Sequence, residues 1–102
     1  TFGGGTRAPL VWHGPAAGLA ARGLRRQYHH AIDVAPTLLE IAGASPGAGG
    51  GPSGEPLQGV SMAYALRDAT ATTRKRVQHY ETTGDRAIWA DGWKAVTRHV
   101  PE

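Results

Sequence analysis

The residues best suited to bind a metal or move a proton are five histidines, His13, His29, His30, His79 and His99. A metal site would need two or three of them converging with a carboxylate such as Asp33 or Glu81. The spacing opposes that. His29 and His30 are adjacent, so on an extended segment their rings point to opposite faces, and no H-x-x-x-H or H-E-x-x-H pair occurs. The histidines are therefore expected to be half-buried or hydrogen-bonded, with no metal ligand supplied by this chain.

Nucleophilic chemistry finds equally little footing. Ser45, Ser53 and Ser61 are the only serines; Ser45 alone stands in a G-x-S-x-G string, Gly43–Gly47, and that string opens a Gly/Pro-rich loop instead of joining a strand to a helix, so none forms a nucleophile elbow. Ser61 reads instead as a helix cap. The absence of cysteine removes a thiolate nucleophile, disulfides and Cys-ligated zinc, and leaves the redox compartment open. Gly49–Gly51 follows no strand and precedes no lysine, so it is not a phosphate-cradling loop. Glu40 falls on the polar side of a helix, and Asp85 and Asp91 are turn residues, so no pair of carboxylates is set up for acid–base work. The expected tally of catalytic, metal-binding and substrate-binding residues within the chain is none.

With 40% hydrophobic residues and 15 glycines in 102 positions, the core should be thin, as in a piece of something larger. The chain begins at Thr1 without an initiator methionine, which points the same way. The net charge of +3 comes mostly from two clusters, Arg22–Arg26 and Arg74–Arg76. Neither is interleaved with aromatics, so both read as solvated charge, with an anion-binding surface as the alternative and no nucleic acid as partner. No apolar run approaches the roughly 18 residues of a membrane span, and the N-terminus lacks a signal-peptide pattern. No membrane partner is expected, and compartment and oligomeric state stay open.

Several elements have to position these residues. Leu10–Trp12 reads as a short buried strand stopped by Gly14-Pro15. Gly18 and Gly23 interrupt the segment 16–27, leaving at most one helical turn. A short strand over Gln27–Ile32 would precede a helix capped by Asp33. Pro36 lies in its first turn, Leu38, Leu39, Ile41 and Ala42 form its apolar face, and Gly43 is the C′ residue. Residues 43–56 are rich in Gly, Pro and Ser and read as an exposed loop. Ser61 starts a short helix with Met62 and Leu66 four apart. "RVQHYE" alternates as a strand, and "RAIWADGWKAVTRH" reads as a hairpin turning at Asp91-Gly92.

Taken in order, "GGTRAPLVWHGP", "YHHAIDVAPTLLEIAG", "LQGVSMAYAL" and "HYETTGDRAIWADGWKAV" resemble the C-terminal portion of an arylsulfatase of the sulfatase family. The likeness rests on a Gly-Gly-x-Arg-x-Pro entry, a D-x-x-P-T-L-L-E-x-x-G helix, a G-x-S helix start, a Tyr-Glu strand leading to Gly-x-Arg-Ala-Ile, and a Gly-Trp-Lys-Ala-Val hairpin arm. It spans essentially the whole chain.

The resemblance implies an alkaline-phosphatase-like α/β fold and hydrolysis of sulfate monoesters to an alcohol or phenol plus sulfate. It also implies two cofactors in the parent enzyme, calcium and a formylglycine made within a C/S-x-P-x-R motif. That motif and the metal-binding Asp/Asn residues are not present here, and Gly3 departs from the acidic residue common before the two glycines. The fragment alone is therefore expected to be inactive, its partners being the remainder of the sulfatase domain and, through it, the sulfate ester.

On this reading residues 1–45 hold the last strand and helix of the large domain, 46–58 a loop, and 59–102 a C-terminal subdomain with a short helix and an antiparallel hairpin. Gly4 and Gly5 let backbone pass close to a wall, Arg7 anchors that loop or meets an anion, Trp89 and Trp93 pack between the sheet and a helix, and Lys94 is solvated. Two alternatives remain. One is a fragment of another alkaline-phosphatase-superfamily hydrolase, a phosphodiesterase or phosphoglycerol transferase. The other is a small basic anion-binding module.

Overall fold

Helix and sheet occupy separate stretches of the chain. The computed structural model describes residues 3–14, 22–44 and 54–100. The fold is mixed α/β: helices α1 (Gly3–Thr6), α2 (Val34–Ile41) and α3 (Ala63–Arg67), then strands β1 (Val77–Thr82), β2 (Asp85–Ala90) and β3 (Trp93–Thr97). Two compact units result, His13–Lys75 and the combination of Thr1–Trp12 with Arg76–Glu102.

In the unit His13–Lys75, α2 follows a 3-10 turn over Ala31–Asp33. Pro36 sits at the third helical position, where no backbone N–H is required. At the other end Ala44 N–H donates to Leu39 C=O (2.9 Å) and Gly43 N–H to Glu40 C=O (3.1 Å), with Gly43 at φ +73. This is a Schellman closure, and the positive φ explains why glycine stands there.

The buried face of α2 differs from the expected one. Leu38 is 52% exposed, whereas Thr37 is fully buried. The reason lies in the packing against α3, which is buried at Ala63, Tyr64, Ala65 and Leu66 together. Where the two meet, Met62 N–H donates to Thr37 Oγ1 (2.8 Å), whose own proton goes to Asp33 C=O. A hydroxyl serves that junction and a leucine could not.

Two expected strands do not form. Residues 7–14 and 27–30 have no strand pairing. Leu10 and Val11 are 56% and 87% exposed; a strand needs a neighbour to receive its backbone hydrogen bonds, and no described segment offers one. Gly3–Thr6, expected as loop, makes a single helical turn. The loop expected at 43–56 falls at 45–53 outside the described residues, as do residues 16–21 of the segment 16–27.

The sheet is antiparallel in the order β1-β2-β3. The hairpin at Asp91-Gly92 forms as expected, closing Ala90 onto Trp93, and Thr83-Gly84 closes Thr82 onto Asp85 in the same way. Both turns place their two central residues at positive φ, with values of 51 and 89 at the first and 47 and 93 at the second. That is the type I′ pattern, whose twist suits a two-residue hairpin. Ala87, in the central strand, is buried, while β3 is exposed along its whole length.

Candidate functional site

The chemistry-bearing side chains that converge do so around Asp33. Its position follows from the 3-10 turn, which moves the helical start one turn upstream of the expected place. His30, extended at φ −127 and ψ 161, is the N-cap, and its Nδ1 accepts Ile32 N–H at 3.3 Å. Asp33 is thus three residues past the cap, and its carboxylate turns back to accept His30 N–H at 2.9 Å. The expected N-cap role of Asp33 is corrected: it makes no side-chain hydrogen bond to the first turn of α2.

Four donors fill the carboxylate. Oδ1 accepts Lys75 Nζ and Val60 N–H, both at 2.8 Å, and Oδ2 accepts His30 N–H and His29 Nδ1 at 3.1 Å. Asp33 is fully buried and Lys75 is 3% exposed. Burial by itself would raise the Asp33 carboxyl, but the Lys75 ammonium, the His30 and Val60 N–H groups and the His29 ring together hold it below the usual carboxylate range. The result is an ion pair whose lone pairs are satisfied, the condition under which a buried charge is tolerated.

The network continues through His29. Its Nε2 lies 3.1 Å from the Tyr64 hydroxyl, which accepts Arg74 N–H at 2.9 Å. The Arg74 guanidinium stands 4.4 Å from the centroid of the Tyr64 ring. Burial pushes the His29 imidazole down, the Asp33 hydrogen bond and charge oppose this, and the Lys75 charge adds to the lowering; the balance falls below the ordinary value.

The remaining candidates are scattered. His29 and His30 do serve different partners, though through a capped turn and not through strand alternation. His13 and His99 are exposed, His79 is exposed on β1, and Glu81 faces Arg86 across the β1–β2 ladder. Ser61 Oγ accepts Ala63 N–H at 3.2 Å, but the N-cap of α3 is Met62 and carries no side-chain cap, so the expected capping role of Ser61 is corrected. Trp93 is 84% exposed, contrary to its expected packing role, because β3 is covered by nothing described. Lys94 is exposed and donates to Thr6 Oγ1. Ser45, Ser53 and Gly49–Gly51 lie outside the described residues.

Both basic clusters need correction at one member each. Lys75 is buried on Asp33, and Arg25 is half-buried, donating to Ala65 C=O (2.6 Å) and Leu66 C=O (3.0 Å) at the end of α3. Sequence reasoning missed Lys75, Tyr64 and Thr37. The one available signal was a carboxylate inside an apolar stretch, which calls for a cation without saying which.

Among the described residues no group of three or more His, Asp or Glu is gathered to hold a metal ion. Chemically, the Asp33 cluster can bind four chain segments together but has no vacant lone pair to offer a ligand. An open recess of about 350 Å³ lies elsewhere, on the sheet, between His79, Arg86, Ile88, Ala95 and Thr97. Among the described residues no helix is long and apolar enough to cross a membrane. Comparison with family models, curated proteins and solved structures found no significant match.

Proposed function

We propose that this chain is the C-terminal portion of an arylsulfatase of the sulfatase family, with an alkaline-phosphatase-like fold, and that it supports the hydrolysis of sulfate monoesters without supplying a catalytic group. The observation that carries the reading is the ordered series of motifs along the chain, from Gly4-Gly5-Thr6-Arg7 through Asp33–Gly43 to Gly92-Trp93-Lys94. Exposed apolar side chains agree with it: Leu10, Val11, Val77, Ile88 and Trp93 are what a larger protein would cover. The chain's part is then mechanical, the Asp33 cluster fixing α2 and α3 for the rest of the enzyme to pack on.

Calcium and formylglycine belong, on this reading, to the upstream part of the enzyme. The described residues do not fit a calcium ion: the best-placed carboxylate, Asp33, has both oxygens taken by N–H donors, one of them an ammonium. No step of the reaction is therefore assigned here.

The test begins with the reading frame upstream of Thr1. A C/S-x-P-x-R motif is expected, and the protein encoded by the whole frame should hydrolyse an aryl sulfate in a calcium-dependent way, with activity lost when the Cys or Ser of that motif becomes Ala. The 102-residue chain alone should show no turnover. An upstream Thr or Ser in another context would transfer the reading to a phosphoryl-transfer hydrolase. A frame without either, together with a cooperative melt and salt-sensitive polyanion binding by the chain itself, would replace it with an anion-binding module.

A further inference from the structure

Counting protons around His29 settles its state. Asp33, paired with Lys75, can only accept, so His29 Nδ1 at 3.1 Å must carry a proton. The Tyr64 oxygen already accepts Arg74 N–H, which leaves the hydroxyl proton free for His29 Nε2. The donors therefore run in one direction, from Arg74 N–H to Tyr64 O–H to His29 to Asp33. A neutral imidazole with its proton on Nδ1 satisfies every link and gives the Tyr64 hydroxyl proton an acceptor.

We propose that this chain of hydrogen bonds is an acid-sensitive latch: a proton added at His29 Nε2 reverses the link to Tyr64 and loosens the Arg74–Lys75 segment from α3. Protonated Nε2 must donate, so the Tyr64 hydroxyl has to turn its own proton away from His29 while its oxygen serves two donors. The charge balance changes as well. The groups facing His29 are Asp33 from the 3-10 turn, Tyr64 from α3, and Arg74 and Lys75 from the segment before β1; the neighbouring His30 is engaged with Ile32 N–H. One buried carboxylate would then face two cations, His29 and the buried Lys75, with the exposed Arg74 guanidinium beyond the Tyr64 ring, and Lys75 and Arg74 sit on the segment that is released. The latch stands on this geometry, independently of the sulfatase reading.

Burial lowers the proton affinity of folded His29, and Asp33 offsets this only in part. The unfolded chain therefore binds this proton more tightly. Stabilisation from the latch is fully present above the unfolded imidazole pKa and is lost as pH falls from that value toward the folded one.

The test is nitrogen-15 NMR of the imidazoles in the 102-residue chain through an acid titration, with exchange of the Arg74 amide followed in parallel. His29 should appear as the Nδ1–H tautomer and titrate below the ordinary imidazole value. Arg74 amide protection should fall by roughly tenfold for each pH unit between the unfolded and the folded His29 values and level off below the latter, one pKa unit being one factor of ten. Tyr64→Phe, which keeps the ring and removes the donor to Nε2, should move the His29 midpoint upward. An Nε2–H tautomer, an ordinary or raised midpoint, Arg74 protection that ignores His29, or an unmoved midpoint in Tyr64→Phe would each overturn the latch. A chain that fails to fold gives the ordinary midpoint without protection, which overturns it too.

Discussion

The two compact units of this chain are held by opposite means. In His13–Lys75 the largest fully buried side chains among the described residues are Asp33 and Thr37, both polar, and beside local donors they receive hydrogen bonds from residues 25 to 42 positions away. In the sheet unit the register is set by two-residue turns between adjacent strands, and β3 is exposed throughout. The first region concentrates its stability in a few long-range polar contacts. The second distributes it over a ladder and two turns, so single side chains there should matter less.

Lys75→Met is the strongest way to break that contrast. It removes the ammonium from a fully buried carboxylate and should destabilise the unit by about 3–5 kcal/mol, as expected when one partner of a buried pair is lost. Urea unfolding followed through α2 and α3 amides would measure it. A near-neutral result would mean that Asp33 takes up a proton at no cost, and Lys75→Met combined with Asp33→Asn should recover part of the loss.

Gly84→Ala probes the sheet at its turn. The residue has φ +89, and a Cβ there would lie 2.8 Å from His99 Cγ. His99 Cβ would also lie 3.0 Å away and cannot be cleared by turning the ring, so the clash adds to the left-handed strain of about 1–2 kcal/mol. Loss of exchange protection in β1 and β2, with α2 and α3 unaffected, is the expected signature. A penalty as large as that of Lys75→Met would erase the distinction between the two regions.

Trp93→Ser should have the smallest effect. The indole is 84% exposed, so stability should change by less than about 0.5 kcal/mol despite the large apolar area removed. A larger loss in the thermal melt would place Trp93 in contacts that its exposure does not suggest.

The same contrast explains what could be read from the sequence. Asp91-Gly92, the alternating Val77–Thr82, Pro36 and Gly43 act through their immediate neighbours, so their elements were legible. Leu10–Trp12 has strand composition but no partner strand among the described residues, and pairing is not a local property. Asp33 and His29 were recognisable as candidates, yet their roles depend on Lys75 and Tyr64, which lie 42 and 35 positions away respectively. Lys75 itself stands between two arginines, and nothing adjacent marks it as the one that is buried.

Arg25 carries a consequence for the order of assembly. Helix α3 has only five residues, far below the roughly 12–15 at which an isolated helix becomes marginally stable in water. Two carbonyls at its end receive their hydrogens from a guanidinium 40 and 41 positions earlier. The helix is therefore a product of loop closure and cannot nucleate it. Its amides should gain protection only when that long loop closes, which makes α3 a timekeeper for the late folding of its unit.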